Sequence, residues 1–276
     1  MSKTLAAIND LSGLGQSSLC AILPIISVMG IQACPLPTAV LSSQTDGYHD
    51  YAFQDLTALW PKYFAHWQKE APTFDCIYSG FLGSVRQIDL IANFIENFAR
   101  KHTLIAVDPV LGDGGELYDT MNEEMVVQMR RLITHADLIT PNYTELCLLS
   151  RTSFQKAPAL SLVEAQMHLL AEAGPINIVT TSIPTSQEDL MLTAVFERDN
   201  DKFTVLPHEM LPAHYPGSGD IFASVLIANL LNGLSLISSV QKAADFVYEA
   251  IRLSLAQKRP FREGVALEQV LPLLLK

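Results

Sequence analysis

The chain has 276 residues, 49% of them hydrophobic, and a formal net charge of −11 at pH 7. That length suits one large α/β domain or two small ones, and the apolar share is ample for a buried core. The negative charge argues against non-specific nucleic-acid binding, which needs a basic surface. It also means that the phosphates of a nucleotide would have to be met by backbone donors and a metal ion rather than by a general positive field.

Cysteine usage and the N-terminal segment indicate a cytoplasmic protein. The four cysteines are widely spaced and form no CxxC pair, which argues against structural zinc and disulfides and fits a reducing cytosol. The segment MSKTLAAIND has the pattern of a strand rather than of a signal peptide. The longest apolar run, residues 19–31, contains Pro24 and is too short to span a bilayer, so we expect no membrane partner.

Strand-like apolar runs alternate with helix-length segments along the chain. The predicted strands cover residues 4–8, 32–41, 74–78, 103–107, 136–139, 176–179, 190–197 and 202–206, the last two as a hairpin around residues 198–201. The predicted helices cover residues 16–29, 60–69, 85–101, 122–134, 162–173, 219–232, 235–256 and 265–275. This alternation predicts a mostly parallel sheet with helices on both faces. Since no linker or internal repeat interrupts it, we expect one domain over residues 1–276.

In such sheets, ligands bind beyond the carboxyl ends of the strands, so the residues after each strand are candidates for a site. The glycine-rich turn after the first strand, residues 9–15, lacks the GxGxxG spacing of a dinucleotide site, which gives hydride transfer little support. Thr45 follows the second strand, either in a pocket wall or in a surface turn. Phe81 follows the third, where it either stacks on a flat ring or joins the core. Ser84 suits the N-cap of the next helix.

Carboxylates after the fourth strand indicate a metal site. Asp108 and Asp113 lie in a loop with three glycines, and Mg²⁺ usually takes one or two carboxylates together with substrate phosphates. A glycine-rich Asx turn is the structural alternative. The position at a strand end favours the metal.

Further polar groups follow the next two strands. Thr140 and Glu145 come after the fifth strand and would face the same edge as Asp108 if the strands are parallel. Thr180 and Thr181 come after the sixth strand, where their hydroxyl groups suit phosphate oxygens.

The turn Gly217-Ser218-Gly219-Asp220 precedes an apolar helix. The backbone N–H groups of such a turn can converge on one point, where the helix N-terminus adds a partial positive charge. Asp220 lies beside that point, where it can accept a proton from a substrate hydroxyl. An anion hole next to a base indicates phosphoryl transfer to an alcohol. An ordinary helix cap with a flexible lead-in is the alternative.

Three motifs occur together in order: Asp108-Pro-Val-Leu-Gly-Asp113, Thr140-Pro-Asn-Tyr-Thr-Glu145 and Gly217-Ser-Gly-Asp220. The combination resembles the ribokinase-like superfamily and, within it, the pyridoxal kinase group. The segments 35–42 and 78–84 are similar as well, so that the resemblance runs from Ala7 to about Arg252. It implies a single-domain ribokinase-like three-layer α/β sandwich.

The resemblance implies ATP-dependent transfer of a phosphoryl group to the 5′-hydroxymethyl group of a B6 vitamer, in a cytoplasmic homodimer. ATP and Mg²⁺ are the implied cofactors, with a monovalent cation such as K⁺ left open. Asp220 is implied as the general base, beside an anion hole formed by the N–H groups of Gly217, Ser218 and Gly219. The implied metal-side residues, some acting through water, are Asp108, Asp113 and Glu145. The implied nucleotide-side residues are Asp108, Thr140, Asn142, Glu145, Thr180 and Thr181. The implied substrate-side residues are Asp10, Thr45, Phe81 and Asp220.

Two positions depart from the pattern of the pyridoxal kinases. Asp10 stands where many carry serine, and an aspartate there can pair with a protonated pyridine nitrogen or with the aminomethyl group of pyridoxamine. We therefore expect Asp10 to favour cationic vitamers. Phe81 stands where tyrosine is common, which leaves the ring-stacking contact open.

Three other functions remain as alternatives. A hydroxymethylpyrimidine kinase of thiamine metabolism shares the fold, but such enzymes tend to carry an early Gly-Gly-Ala-Gly run where this chain has Ser12-Gly-Leu-Gly15. A sugar kinase of the superfamily usually carries an early β lid, for which residues 9–50 leave little room. A non-catalytic cofactor-binding protein on the same fold would not need Asp220 and the metal-side carboxylates.

Overall fold

The computed structural model describes residues 2–275. Its strands are β1 Thr4–Ser12, β2 Gln32–Leu41, β3 Phe53–Asp55, β4 Cys76–Ser79, β5 Leu104–Val107, β6 Gly112–Asp113, β7 Glu116–Leu117, β8 Leu138–Ile139, β9 Asn177–Pro184, β10 Leu190–Glu197 and β11 Lys202–Glu209. Its α-helices are α1 Ser18–Val28, α2 Trp60–Glu70, α3 Val85–Phe98, α4 Glu123–Leu132, α5 Tyr143–Ser150, α6 Leu160–Ala173, α7 Ser218–Leu231, α8 Leu236–Ala256 and α9 Leu267–Val270. The predicted α/β class with mostly parallel strands is confirmed.

The predicted elements depart from these bounds at a few points. The pattern missed β3, β6 and β7, because strands of two or three residues carry too little periodicity to be recognised. It also missed α5, which is short and buried on nearly all sides and therefore shows no amphipathic pattern. β1 continues to Ser12 and β9 continues to Pro184, both beyond their predicted ends. The predicted helix over residues 265–275 was wrong, since α9 ends at Val270 and a 3-10 segment, Leu271–Leu275, follows. Pro272 has no backbone N–H with which to continue an α-helix.

The chain divides into two compact units. The first unit contains the residues up to Phe81, the segment Phe98–Thr103 and the residues from Leu211 onward. The second unit contains Leu82–Asn97 and Leu104–Met210. The expectation of one domain over the whole chain stays a prediction.

In the first unit, β1 is the central strand. β2 and β4 pair with it in parallel, and β3 pairs with β2 in the antiparallel sense. Residues 5–8 are fully buried, as expected for a parallel strand covered on both faces. α1 packs on β1 and on α7, and α7 packs on α8. The register of β1 against β2 shifts between Asn9 and Leu11, and such irregularities re-aim side chains at strand ends.

In the second unit, β5, β8 and β9 are parallel, and β10 and β11 extend them in the antiparallel sense. The hairpin predicted around residues 198–201 is confirmed, with Glu197 opposite Lys202. β6 and β7 form a separate small hairpin. α3 starts after Ser84, whose Oγ accepts the Gln87 N–H at 3.3 Å, as predicted for its N-cap. α5 packs on α6 and β9.

Between residues 2 and 275, no helix combines the length and the hydrophobicity needed to cross a membrane.

The start of α4 offers a test of how the fold is specified. The Asn122 side chain accepts a hydrogen bond from the Met125 N–H at 3.0 Å. Asn122→Ala leaves that N–H without its acceptor, so we expect the free energy of unfolding to fall by about 1 kcal/mol. Asn122→Asp retains an acceptor at the N-cap and is the matched control. Urea unfolding measures both variants, and an alanine variant as stable as the wild type would contradict this account of the helix start.

Candidate active site

The turn before α7 brings two backbone segments of the first unit into close contact. Gly217 is the N-cap of α7 and has a φ of 84°, in the left-handed region. A Cβ at this position would overlap the carbonyl oxygen of Gln16 and lie 2.8 Å from the Cα of Ser17. Glycine is therefore required by conformation and by space. The turn caps the helix and also groups first-turn N–H groups that have no acceptor within the helix. Among them, the Ser218 N–H makes a long contact of 3.4 Å with the Tyr215 carbonyl.

The Asp220 carboxylate lies in the first turn of α7, and both of its oxygens accept hydrogen bonds. Oδ1 accepts from Asn9 Nδ2 at 2.9 Å, and Oδ2 accepts from the backbone N–H of Ser18 at 2.8 Å. The pKa of Asp220 is raised to about 6, chiefly because burial disfavours its charged form, with a smaller contribution from the negative charge of Asp10. The hydrogen bonds from Ser18 and Asn9 oppose this rise in pKa. A fixed carboxylate whose pKa lies just below neutral is suited to accept a proton at pH 7.

Asp10 lies at the end of β1 and contacts serine hydroxyl groups through both oxygens. Oδ1 accepts from Ser18 Oγ at 2.5 Å, and Oδ2 accepts from Ser12 Oγ at 2.7 Å. The residue is only 6% exposed, and burial raises its pKa above the ordinary value. Asp10 is thus near enough to Asp220 for its charge to raise the pKa of that residue, and each of its oxygens accepts one hydrogen bond within the protein.

Asn9 is a central residue of this cluster that pattern reasoning missed. It is fully buried, and its Oδ1 accepts from the N–H of Asp10 at 2.9 Å and from the N–H of Phe81 at 3.2 Å. Its Nδ2 donates to Asp220. One amide therefore joins the ends of β1 and β4 to α7. The available signal was a polar amide directly after the apolar residues 5–8, where a buried polar group needs partners.

The other two predicted substrate-side residues lie in less buried settings. Phe81 is half-buried, and Asn9 fixes its backbone. Thr45 is exposed. The loop that carries it is held by Gln44, whose Nε2 donates to the carbonyls of Asp46 and Arg262. The structure thus groups Asp10, Phe81 and Asp220 through shared hydrogen bonds but does not connect Thr45 with them.

In the second unit, Glu145 forms a structural cap. Asn142 Oδ1 accepts from the Glu145 N–H at 2.9 Å, and Glu145 Oε2 accepts from the Asn142 N–H at 2.8 Å, which makes a capping box for α5. Glu145 Oε1 accepts from the Leu111 N–H at 3.0 Å. Burial raises the pKa of Glu145 well above its usual range, and the negative charge of Asp108 adds to the rise. A buried carboxyl group thus joins the loop after β5 to the start of α5.

The three predicted metal-side carboxylates have different surroundings. Asp108 and Glu145 are buried, whereas Asp113 is exposed and its Oδ1 accepts the Gly114 N–H at 2.8 Å. Among residues 2–275, no group of three or more His, Cys, Asp or Glu side chains is arranged to hold a metal ion. Asp108 and Glu145 still fit a cation held through water, because a positive charge relieves the repulsion between two buried carboxylates. The metal role of the three residues stays a prediction.

Two predicted nucleotide-side residues carry buried hydroxyl groups. Oγ1 of Thr140 and Oγ1 of Thr180 are buried and have no hydrogen-bond partner in the described part of the chain. Such groups are rare in folded proteins, and a ligand can complete their hydrogen bonding. Thr180 and Thr181 lie within β9 rather than after it, because pairing with β10 extends that strand. Asn142 Nδ2 donates to the Gly112 carbonyl at 2.8 Å.

A profile of the phosphomethylpyrimidine kinase family matches residues 21–263. The chain therefore belongs to this family.

Solved structures and a curated relative agree with that membership. A Bacteroides thetaiotaomicron protein described as a phosphomethylpyrimidine kinase, solved with pyridoxal, is 42% identical, with a TM-score of 0.96 over 99% of this chain and 96% of that chain. Pyridoxal kinase from Lactobacillus plantarum is 33% identical, with a TM-score of 0.90 over 100% and 97%. The pyridoxine/pyridoxal/pyridoxamine kinase of Bordetella avium is 30% identical over 183 residues, which are 63% of this chain and 59% of that protein. The chain thus spans less than two thirds of that curated relative. The resemblance to pyridoxal kinases is confirmed.

The contact at Gly217 predicts a large difference between two neighbouring glycines. Gly217→Ala should lower the free energy of unfolding by about 2 kcal/mol or more. An alanine with a left-handed backbone conformation costs about 1–2 kcal/mol, and the overlap of its Cβ with Gln16 adds to that cost. A Cβ at Gly219 would have no neighbour within 4 Å, and alanine is the better helix former there. We therefore expect Gly219→Ala to retain or raise stability. Urea unfolding of both variants tests this, and equal stabilities would refute the proposed backbone contact.

Proposed function

We propose that this chain is an ATP-dependent kinase that phosphorylates the 5′-hydroxymethyl group of a B6 vitamer: pyridoxal, pyridoxine or pyridoxamine. The observation that carries the proposal is the Asp220 carboxylate, held through both oxygens at the N-terminus of α7 beside first-turn N–H groups. The likeness to a Bacteroides protein solved with pyridoxal supports the choice of acceptor. The Lactobacillus pyridoxal kinase supports it as well.

Asp220 acts as the general base. In its carboxylate form it accepts the proton of the acceptor hydroxyl while that oxygen bonds to the γ-phosphorus. The bond from the γ-phosphorus to the β–γ bridging oxygen breaks, and ADP leaves. The N–H groups of Gly217, Ser218 and Gly219, together with the α7 dipole, stabilise negative charge on the transferred group.

The nucleotide side is assigned to the segments around Thr140 and Thr180. The unpartnered hydroxyl groups of Thr140 and Thr180 bind phosphate oxygens. Asn142 and Thr181, which are close to them in the sequence, belong to the same nucleotide side. Mg²⁺, when bound, neutralises phosphate charge, and the chain supports it through Asp108, Asp113 and Glu145, some of them through water. Because the chain carries a net charge of −11, a cation is needed wherever phosphates approach buried carboxylates.

The remaining assignments follow from the resemblance. Thr45 and Phe81 contact the vitamer, and Asp10 lies on the substrate side of Asp220. The enzyme works as a homodimer in the cytoplasm, and K⁺ is a candidate second cation.

A hydroxymethylpyrimidine kinase is the second candidate, because the matching family profile is that of phosphomethylpyrimidine kinases. Both acceptors are flat heteroaromatic alcohols, so the anion hole and Asp220 would serve either. A panel of the three vitamers and hydroxymethylpyrimidine, with ATP and Mg²⁺ in excess, separates them by kcat/KM. We expect a vitamer to be preferred. A higher kcat/KM for the pyrimidine would replace the proposed acceptor, and the absence of turnover with all four would favour a non-catalytic binding protein.

Removal of the base should abolish most of the activity. Asp220→Ala should lower kcat by about 10²-fold or more, the scale of general-base catalysis. In the wild type, kcat/KM should fall as the pH drops through about 6, where Asp220 takes up a proton and no longer accepts one. ADP release in a coupled assay between pH 5 and 8 measures both effects.

Asp220→Asn is the matched control because it keeps the shape and an acceptor oxygen but cannot take a proton. It should be as inactive as Asp220→Ala, and its residual activity should show no acidic limb near pH 6. Substantial turnover by either variant would exclude Asp220 as the base.

A further inference from the structure

Ser18 has an unusual backbone conformation for a residue that contacts the base. It is the first residue of α1 and has a φ of 53°, in the left-handed region. A residue with a Cβ is strained there, whereas glycine is not. Such strain persists only where surrounding contacts hold the residue in place.

The Asp10 carboxylate provides such a contact. Its Oδ1 accepts the Ser18 hydroxyl at 2.5 Å, and its Oδ2 accepts the Ser12 hydroxyl at 2.7 Å. Asp10, Ser12 and Ser18 are all at most 7% exposed, so water competes little for these hydrogen bonds. A hydrogen bond to a charged acceptor is also stronger than a neutral one.

The same residue then contacts Asp220 through its backbone. The Ser18 N–H donates to Asp220 Oδ2 at 2.8 Å, while Asn9 holds Oδ1. We propose that Asp10 and Ser18 are positioning residues for Asp220. Asp10 accepts a hydrogen bond from the Ser18 hydroxyl and so keeps the Ser18 backbone in the left-handed conformation. In that conformation the Ser18 N–H holds the Asp220 carboxylate in the orientation that accepts the substrate proton. The inference rests on the proposed role of Asp220 as general base.

This role differs from the one that the motif comparison suggests for Asp10. A substrate-binding Asp10 would discriminate between vitamers of different charge, and its replacement would change their relative KM values. A positioning Asp10 acts through Ser18, so its replacement changes kcat and the pH profile and leaves vitamer preference unchanged. The two serine contacts, which occupy both carboxylate oxygens, favour the positioning role.

The charges around the pair make the pH profile informative. Asp10 on β1 is the carboxylate whose charge raises the pKa of Asp220, and the Ser18 N–H lowers that pKa. Cys20 on α1 donates to the Ser12 carbonyl at 2.9 Å, and its thiol is kept neutral because burial and the charge of Asp10 raise its pKa. Loss of the Ser18 contact and loss of the Asp10 charge should therefore move the pKa of Asp220 in opposite directions.

Three variants test the proposal with the full-length chain, ATP, Mg²⁺ and the B6 vitamers. Ser18→Ala should lower kcat by roughly 10- to 100-fold, the scale of a misplaced catalytic group, with little change in KM, and should move the acidic limb of kcat/KM to higher pH. Ser18→Gly adopts the same φ without strain and should retain more kcat than Ser18→Ala. Asp10→Asn keeps an acceptor for the Ser18 hydroxyl without the charge, so the acidic limb should move to lower pH with unchanged vitamer preference.

Ser239→Ala is the control for loss of a buried serine, since Ser239 is fully buried in the same unit and donates to the Ser235 carbonyl at 2.8 Å. It should retain wild-type kcat, and thermal unfolding of each variant shows which of them fold. Wild-type kcat in Ser18→Ala, equal kcat in the alanine and glycine variants, or a changed vitamer preference in Asp10→Asn with an unmoved acidic limb would each overturn the proposal. Absence of turnover in the wild type would instead overturn the proposed function, and this inference with it.

Discussion

The arrangement of the first unit depends on one close backbone contact, between Gly217 and the segment Gln16–Ser17. No residue with a Cβ fits there, both for lack of space and because φ is 84°. The contact sets the start of α7 against the residues that lead into α1. It thereby places the Ser18 N–H within 2.8 Å of Asp220. The glycine of the motif is therefore needed for the position of Asp220 as well as for the shape of the turn.

In each unit a carboxyl group at the start of a helix lies beside a second carboxylate, and Glu145 is buried whereas Asp220 is half-buried. Asp220 lies beside Asp10 and Glu145 lies beside Asp108, and in both pairs burial is the main cause of the raised pKa. A raised carboxyl pKa means that the native state binds a proton more tightly than the unfolded chain does. For Asp220 the resulting loss of stability grows as the pH rises from 3.8 towards about 6. Such a cost at neutral pH is typical of groups retained for binding or proton transfer rather than for stability.

Most of the α/β pattern could be predicted from the sequence, because long apolar strands and amphipathic helices carry strong periodicity. β3, α5, β6 and β7 could not, and neither could the end of α9, where Pro272 interrupts the helix. The site is a different case. Asp220 and Glu145 stand out through their motifs. Asn9 and Ser18, in contrast, act through hydrogen bonds to Asp220, from which they are separated by 211 and 202 positions in the sequence. No local pattern contains such pairings, since they arise only when β1, α1 and α7 pack together.

Asp10 shows why a residue-by-residue comparison with relatives is incomplete. A serine in its place would carry no charge, whereas the aspartate lies among Ser12, Ser18 and Asp220. Its charge raises the pKa of Asp220 directly, and it accepts the hydroxyl of Ser18, the residue whose N–H lowers the same pKa. The two effects oppose each other, and burial, the larger cause, sets the pKa of Asp220 at about 6. The Ser12 and Ser18 hydroxyl groups stabilise the Asp10 carboxylate by donating hydrogen bonds to it, and the Ser18 backbone N–H in turn donates to Asp220.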